Sequence, residues 1–423
     1  MKILLTSIGT RGDMEPFLAI GEILQEKGHD VMYLFPDQFQ DLVEDSGAQF
    51  EGLGSAFIEM LESDLGKFAM GGAGSWWKKL GAYVKLARMQ GDINRHMMER
   101  QQKVVAEFQP DRIVHNGKAM YPVIWEVEHP GSTTFVSPVP FLHYVKGHTH
   151  VAFHSNYGSF LNKLTFRLAD WGLVKTILAS LKWIDRTDLS KKQIKKALDK
   201  HQVIYTISPQ LFDRPNYWPE NIKVLGYHER DKTVNWQPDP ALAAFLERHE
   251  KILFVTFGSM TNPEPAKKTE IILNILEQHQ IPALINTSAG GLIEPADYDH
   301  DLFHFVSSIP YEWLLPKIYA VMHHGGSGTT HLTVQHGCAS LILPHIIDQF
   351  AWDQMLTAKG VGPSGIKVSR ITENSLAPKL LNLFHNEAYK RTAEKMADQM
   401  RREEVLREQL YKNIVGKNVG LDQ

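Results

Sequence analysis

The stretch IYAVMHHGGSGTTHLTVQHG, residues 318–337, decides the fold. The apolar run 318–322 predicts a buried strand, three glycines within four positions predict a tight turn, and the residues after them predict a helix. A strand that ends in a glycine-rich turn and enters a helix presents free backbone N–H groups and the positive end of a helix dipole. The stretch is therefore expected to bind phosphate.

Two common phosphate motifs do not fit this stretch. No Gly-Lys-Ser/Thr follows the glycines, so it is not a Walker A loop. His331 occupies the third glycine position of a GxGxxG counted from Gly326, so the dinucleotide fingerprint is broken. Asp348 nevertheless lies twenty residues after Gly328, where a nicotinamide site places its ribose-reading acid. A dehydrogenase therefore stays one alternative.

Strands and helices alternate on both sides of this stretch, which predicts an α/β fold. The predicted strands of the C-terminal half are 252–257, 282–286, 303–306, 318–322 and 339–343. In the N-terminal half, strands are predicted at 2–8, 29–35 and 111–115, with a helix from Pro16 to Gly28. Residues 71–101 and 157–200 read as long helical insertions, and 387–411 as a long charged helix.

The polar, proline-bearing segment ERDKTVNWQPDPA, beginning at Glu229, separates the two halves. We therefore predict two Rossmann-like, doubly wound domains facing each other across a cleft, with ligands at the carboxyl ends of the strands. The predicted division is an N-terminal domain at 1–228, a linker at 229–245, a C-terminal domain at 246–386, and a C-terminal helix at 387–423 that packs back toward the N-terminal domain.

Composition excludes several classes of protein. A length of 423 residues with 43% hydrophobic content supports two or three domains. The formal net charge of −3 and the lack of a Lys/Arg block argue against a nucleic-acid partner. The apolar run at the N-terminus is too short for the core of a signal peptide, and no stretch has the apolar length of a membrane span. The one cysteine, Cys338, fits a reducing compartment. The expected location is the cytoplasm.

The residues 323–349, HHGGSGTTHLTVQHGCASLILPHIIDQ, resemble the donor-binding signature of glycosyltransferase family 1, whose members use nucleotide sugars and have the GT-B fold. The N-terminal GTRGDMEPFLAIGEIL is similar to the opening of the branch that contains sterol and glycopeptide-antibiotic glycosyltransferases. The segments NWQPDPALAAFL, ILFVTFGSM and SSIPYEWLLP resemble further blocks of that branch, in the same order. The middle of the chain, about 50–220, matches no block of the family.

The resemblance implies a set of donor-binding residues. They are Ser259, Ile309, His323, Gly325, Gly326, Ser327, Gly328, Thr329, Asp348 and Gln349. An imidazole N–H of His323 is expected to offset charge on the leaving diphosphate, and the pair Asp348 and Gln349 to hold the hydroxyls of the sugar. Ser259 is expected to reach the diphosphate. The alternative is that this serine, which lies in a Gly-Ser turn, only shapes the turn. Ile309, with Pro310 beside it, is expected to line the nucleobase pocket.

In the same family an N-domain residue of the first βα loop accepts the acceptor's proton, which implies that Asp13 is the general base. The alternative is that Asp13 caps the helix that begins near Pro16. Thr10, Arg11 and Gly12 form the loop expected near the diphosphate. The candidates for the acceptor side are His115, Phe141 and His143. His115 either partners Asp13 or is a core histidine.

Other positions leave alternatives open. Where many plant members have a glutamate that reads the ribose, this chain has His331, and where they stack a tryptophan on the base, it has Ser308. Uridine and thymidine donors therefore both stay open. Four histidines in FLHYVKGHTHVAFH, residues 141–154, have spacing that can bind zinc, but no acidic or cysteine ligand accompanies them. We expect no metal and no cofactor besides the nucleotide sugar.

The expected function is an inverting UDP-dependent hexosyltransferase that moves glucose from UDP-glucose to a hydroxyl of a lipophilic small molecule, such as a phenolic, polyketide, terpenoid or sterol-like acceptor. The helical segments at 76–100 and 157–185 read either as core, as an acceptor pocket, or as contacts with a membrane surface. The alternatives are a nucleotide-sugar epimerase of GT-B architecture, a dehydrogenase, and a non-catalytic protein that binds nucleotide sugars.

Overall fold

A computed structural model of the chain describes residues 1–44, 46–63, 76–153, 155–230, 236–262 and 264–416. These residues divide into two compact units. The N-terminal unit contains the described residues up to 230 together with 403–416, and the C-terminal unit contains 236–402. The division differs from the predicted one chiefly at the C-terminal end of the chain.

The described part of the N-terminal unit contains one parallel sheet of seven strands in the order β3-β2-β1-β4-β5-β6-β7. The strands are β1 Lys2–Thr6, β2 Asp30–Phe35, β3 Gln49–Gly52, β4 Arg112–His115, β5 Thr133–Ser137, β6 Gln202–Tyr205 and β7 Ile222–Val224. The central strands read as unbroken apolar runs because a parallel sheet is covered on both faces. Residues of β1 accordingly contribute to two cores, with Ile3 and Leu5 on one face and Leu4 on the other.

Helices connect these strands. Their bounds are α1 Arg11–Glu26, α2 Gln40–Glu44, α3 Ala56–Glu62, α4 Trp76–Phe108, α5 Tyr121–Glu128, α6 Ser159–Ser180 and α7 Lys191–Lys200. The predicted helical insertions are confirmed in α4, α6 and α7, while residues 71–75 lie outside the described residues. The first helix begins at Arg11, five residues before the predicted start at Pro16, because Thr10 and Asp13 form a capping box.

The C-terminal unit contains, in its described part, a parallel sheet of five strands in the order β10-β9-β8-β11-β12. The strands are β8 Leu253–Thr256, β9 Ala283–Asn286, β10 Phe303–Val306, β11 Ala320–His323 and β12 Ala339–Ile342. The helices are α8 Pro240–Arg248, α9 Pro265–Gln278, α10 Tyr311–Leu314, α11 Ser327–Gln335, α12 Asp348–Lys359, α13 Glu373–His385 and α14 Glu387–Met400. All five strands lie at or within a few residues of their predicted positions.

The predicted single helix at the C-terminal end is broken into two. Helix α14 buries Ala393, Met396, Ala397 and Met400 in the C-terminal unit. After a 3₁₀ turn at Arg401–Glu404, helix α15 Val405–Val415 buries Leu410 and Ile414 in the core beside β1. No residue from 401 to 409 is buried, so the apolar face that would continue one straight helix is interrupted there. Of the predicted C-terminal helix, the described residues 403–416 belong to the N-terminal unit and residues 387–402 to the C-terminal unit.

Candidate donor and base sites

The predicted donor residues of the C-terminal unit meet where the order of strands reverses. Strand β8 is followed by β9 and β10 on one side, and β11 and β12 lie on its other side. In open α/β sheets ligands bind at the carboxyl ends of the strands at such a reversal. The loops that leave β8, β11 and β12 at this edge carry Ser259, the glycine turn after His324, and Gln349.

His324 lies between two of these loops. A Cβ atom at Gly258 would lie 2.8 Å from His324 Cε1, and a Cβ atom at Gly326 would overlap His324 Nε2. Glycine at both positions therefore lets the imidazole fit between the turn after β8 and the turn after β11. The His324 side chain is 7% exposed, its Nδ1 is buried, and neither ring nitrogen has a hydrogen-bond partner among the described residues. Burial holds the pKa of His324 well below its usual value, so the ring is neutral and keeps one N–H to donate.

The neighbouring His323 has a different environment. It is the last residue of β11, paired with Thr256 on one side and Ile342 on the other, and its side chain is fully buried. Its Nδ1 accepts a hydrogen bond from the Gly325 N–H at 3.1 Å, so its Nε2 carries the proton and donates to Ser340 Oγ at 2.7 Å. Both ring nitrogens are thus used inside the fold. His323 was predicted to donate a hydrogen bond to the diphosphate, but it has no free N–H. His324 is therefore the better candidate.

The glycine turn opens into α11, as predicted. Gly326 is the N-cap, and the first helical hydrogen bond runs from the Thr330 N–H to the Gly326 carbonyl at 2.9 Å. The N–H groups of Ser327, Gly328 and Thr329 precede that bond and have no acceptor within the helix. Together with the helix dipole they form a cradle for an anion. Gly325 has φ +89°, and a Cβ atom there would meet Ile342 at 2.7 Å, so the turn requires glycine.

Gln349 and Asp348 lie at the start of α12, after β12. Gln349 Oε1 accepts from the N–H groups of His345 at 2.7 Å and Ile346 at 3.1 Å, so this side chain first of all shapes the loop that it ends. Its Nε2 amide group has no hydrogen bond within the described residues and is able to donate to a ligand. Asp348 is half-buried in the first turn of the helix. Ile347 between loop and helix has φ +23°, a strained conformation of the kind that clusters at functional sites.

The other predicted donor residues differ in their exposure. Ser259 is exposed in the turn after β8. Ile309 is 6% exposed and Ser308 beside it is exposed, so at this point the serine rather than the isoleucine faces outward. His331 is fully buried, its Nδ1 is 2.8 Å from the Ser327 carbonyl oxygen, and burial lowers its pKa to about 4. His331 is therefore a core residue of α11 and does not read a ribose.

The predicted base, Asp13, lies at the corresponding reversal of the N-terminal sheet, where β1 is flanked by β2 on one side and β4 on the other. Its Oδ2 accepts from the Thr10 N–H at 2.9 Å, and its Oδ1 lies 3.1 Å from Lys118 Nζ. Asp13 therefore does cap its helix, as the alternative predicted, and also has a cationic partner. Sequence reasoning missed Lys118, although its position three residues after β4 at the same sheet edge was a usable signal.

The loop that carries Asp13 is held on both sides. Asn116 donates to Ser7 Oγ at 2.9 Å and to the Ile8 carbonyl at 2.7 Å, and Ser7 Oγ donates to the Asp13 carbonyl at 2.9 Å. Gly9 has φ +147°, and a Cβ atom there would overlap the Asp13 carboxylate. Thr10, Arg11 and Gly12 are exposed at the start of α1, and Arg11 Nε pairs with Glu15 at 3.0 Å. The carboxylate of Asp13 is consequently fixed in orientation.

His115 belongs to the core and has no contact with Asp13 among the described residues. It is 1% exposed, its Nδ1 pairs with the Asn116 carbonyl at 3.0 Å, and its ring packs near His201 and Phe135. Burial lowers its pKa to about 4. Of its two predicted roles, the structure favours the core histidine.

Phe141 and His143 join an aromatic cluster at the carboxyl end of β6. His143 Nδ1 lies 2.7 Å from the hydroxyl of Tyr205, whose ring stacks on Trp218, and burial lowers the pKa of His143 to about 4. Phe141 stacks on His148 with centroids 4.2 Å apart. His148 and His150 thus take part in ring contacts, and His154 lies outside the described residues. Within the part of the chain that the structure describes, no three His, Cys, Asp or Glu side chains are grouped to hold a metal.

Comparisons with known proteins agree with this geometry. Residues 3–118 match the Glycosyltransferase family 28 N-terminal domain, and residues 301–411 match the Erythromycin biosynthesis protein CIII-like, C-terminal domain. A sterol 3-beta-glucosyltransferase of Arabidopsis thaliana is 28% identical, over 96% of this chain and 64% of that protein. One from Pichia angusta is 24% identical, over 85% of this chain and 29% of that protein. The chain thus spans less than two thirds of the length of these relatives.

Solved structures show the fold. The glycosyltransferase of kitacinnamycin has a TM-score of 0.70 at 14% identity, covering 98% of this chain and 99% of that one. The glycosyltransferase VinC in complex with DTDP has a TM-score of 0.64 at 16% identity, with the same coverage. The two parallel-sheet units and these likenesses define the class, which is the GT-B fold. Together with the family matches and the sterol relatives, they establish that the chain belongs to the family 1 glycosyltransferases.

Proposed function

We propose that the chain is an inverting glycosyltransferase that moves glucose from UDP-glucose to a hydroxyl of a sterol-like or other lipophilic small molecule. The observation that carries the proposal is the unpartnered, buried imidazole of His324 beside the free N–H groups at the start of α11. This is a preformed site for the diphosphate of a nucleotide sugar, at the strand reversal where such ligands bind. The sugar and the acceptor class follow from the names of the sterol 3-beta-glucosyltransferase relatives.

In the proposed reaction Asp13 accepts the proton of the acceptor hydroxyl. The oxygen attacks the anomeric carbon, the bond from that carbon to the diphosphate breaks, and the nucleoside diphosphate leaves with the electron pair. Lys118, the Thr10 N–H and, at 3.4 Å, the Thr10 hydroxyl each contact the carboxylate. A carboxylate offers about four lone-pair sites, so about one remains for the acceptor hydroxyl. Lys118 is then a positioning residue for the base.

On the donor side, the helix N-terminus and the neutral His324 N–H balance the charge that builds up on the diphosphate, and the Gln349 amide donates to a sugar hydroxyl. No metal is part of this proposal. A cytoplasmic location is part of it, since the single Cys338 is buried and cannot form an internal disulfide.

The test is nucleotide release by purified protein given UDP-glucose, with and without a panel of sterol, phenolic and macrolide acceptors, with products analysed by mass. We expect release that depends on an acceptor and a product heavier by one hexose. Turnover of the sugar without an acceptor would instead support an epimerase, and donor binding without turnover across the panel a binding protein. Because the VinC structure contains DTDP, the assay is repeated with TDP-glucose in place of UDP-glucose, and the faster donor identifies the nucleotide.

The role of Asp13 is tested with Asp13→Asn, which keeps an oxygen for the Thr10 N–H. We expect it to lose transfer by at least about a hundredfold while UDP affinity stays unchanged. The matched control is Asp41→Asn, because Asp41 is an exposed acid in the first turn of α2. Normal turnover of Asp13→Asn would remove Asp13 as the base.

A further inference from the structure

Helix α6, Ser159–Ser180, carries apolar side chains on both its buried and its outer face. The buried residues are the apolar Phe166, Val174 and Ile177 and the polar Asn162, Thr165 and Ser180. Its outer face carries large apolar side chains, with Phe160 81% exposed and Trp171 58% exposed. A surface helix normally keeps its large apolar side chains on the buried face and polar ones on the outer face. The apolar outer face of α6 is therefore suited to contact something other than water.

The apolar residues form one stripe. Six of the thirteen large exposed hydrophobic side chains in the described part of the chain lie between residues 160 and 173. At about 100° per residue, five of them fall within an arc of about 100°. These five residues, the α6 stripe, are Phe160, Leu161, Leu164, Leu168 and Trp171. The stripe is continuous over roughly three turns of helix.

Cations accompany the stripe. Helix α6 contains Lys163, Arg167 and Lys175 but only one acid, Asp170, in a chain whose net charge is −3. None of the three cations has a carboxylate partner within the described residues, and Lys175 Nζ lies over the Trp171 ring at 4.9 Å from its centroid. Long cationic side chains beside exposed aromatic and leucine residues suit the boundary between lipid headgroups and acyl chains.

We propose that the α6 stripe docks this protein on the surface of an anionic lipid bilayer. The stripe sinks to the depth of the headgroups while Lys163, Arg167 and Lys175 contact lipid phosphates. A small-molecule site is concave and buries most of its ligand, whereas the stripe lies on the outer side of a helix. The contact is peripheral, since no helix among the described residues is long and apolar enough to span a bilayer.

The experiment is co-sedimentation of the full chain with vesicles of phosphatidylcholine and phosphatidylserine, compared with phosphatidylcholine alone. Neither donor nor acceptor is present, so the result does not depend on the proposed transferase activity. We expect binding to the anionic vesicles that weakens as salt is raised. The variant Phe160→Ser/Trp171→Ser should bind at least about tenfold more weakly, because it removes the two largest apolar groups of the stripe.

The matched control is Ile293→Ser/Val405→Ser, since both side chains are exposed and apolar but lie outside α6. It should bind vesicles like the wild type. A second variant, Lys163→Gln/Arg167→Gln/Lys175→Gln, should lose the preference for anionic lipid while unfolding at the same temperature. Equal binding of wild type and stripe variant overturns the proposal. A wild type that does not bind vesicles also overturns it. In that case a changed acceptor KM in the stripe variant would indicate a pocket wall, and dissociation of a dimer would indicate a contact between copies of the chain.

Discussion

Alanine substitutions at the adjacent residues His323 and His324 should affect different properties, stability in the first case and nucleotide-sugar affinity in the second. His323 is a fully buried part of the sheet with two hydrogen bonds, and His324 is a buried side chain with none. We expect His323→Ala to reduce stability and His324→Ala to reduce affinity for the nucleotide sugar. The two variants therefore separate a structural histidine from a ligand-binding one.

The loss of stability in His323→Ala follows from its partners. The substitution leaves the Ser340 hydroxyl and the Gly325 N–H without their partner in the interior, at about 1–3 kcal/mol each, and opens a cavity. The two lost partners alone account for about 2–6 kcal/mol, to which the cavity adds. For a unit of this size such a loss lowers the melting temperature by on the order of 10 °C. Ser340→Ala removes one of the same bonds and should show part of the same loss.

The effect of His324→Ala is on binding. Its stability cost is small, because the packing lost against Gly258 and Gly326 is offset by removing a buried nitrogen that has no partner. A hydrogen bond to a charged phosphate contributes about 1.5–3 kcal/mol, so UDP should bind roughly 10- to 150-fold more weakly.

The assay pairs calorimetric titration with UDP and thermal unfolding of the same preparations. Titration is performed well below the lowest melting temperature, so that all variants are folded. The reasoning is refuted if His323→Ala binds UDP more weakly than His324→Ala while melting like the wild type. It also fails if His324→Ala binds UDP normally.

Two further predictions concern the base loop and acid stability. Gly9→Ala should lower kcat at least about tenfold with UDP affinity intact, because a Cβ atom would displace the Asp13 carboxylate, whereas Gly28→Ala, with φ +79° and open space, should cost only stability and keep its kcat. Burial lowers the pKa of His323 to about 3 and those of His331 and His345 to about 4 from the usual 6.5. As the pH falls, these histidines bind protons in the unfolded chain before they do so in the folded chain. The free energy of unfolding of the C-terminal unit is therefore highest above about pH 6.5 and is lower at pH 5, by on the order of 2 kcal/mol per histidine. Urea unfolding at about pH 7.5 and about pH 5 measures this loss of stability. The variant His331→Gln should show a smaller difference in unfolding free energy between the two pH values, and an unchanged difference would contradict the assignment.

The C-terminal sheet was predictable from the sequence because its strands are short apolar runs bounded by glycine, proline or polar residues. Each of β8 to β12 lies close to its predicted position. In the N-terminal unit, by contrast, β3, β5, β6 and β7 were missed. Strand β3 is only partly buried, and Thr133–Ser137 contains three hydroxyl residues, so neither has the apolar run that marks a central strand. Their place in the sheet is set by tertiary packing, which a single sequence does not display.

The family resemblance implied that His323 contacts the diphosphate, and the predicted strand ended one residue earlier, at 322. In the structure β11 continues through His323. A residue within a strand between two others is enclosed by the sheet, and the first residue beyond it reaches the ligand edge. The resemblance therefore indicated this loop but assigned the contact to His323, which the sheet encloses, rather than to His324.

Both proposed centres follow from one feature of a parallel sheet. Where strand order reverses, the loops that leave two neighbouring strands turn to opposite faces and leave room between them at the carboxyl edge. In the N-terminal unit this edge joins Asp13 after β1 with Lys118 after β4, and in the C-terminal unit it joins Gly258 after β8 with His324 after β11. Lys118 and His324 both come from the second strand of the pair, which is distant in sequence from the first. That separation explains why the motif around Asp13 did not indicate Lys118. In the C-terminal unit the two partners lie in separate segments of the sequence, ILFVTFGSM and HHGGSGTT, and the topology shows that these segments meet.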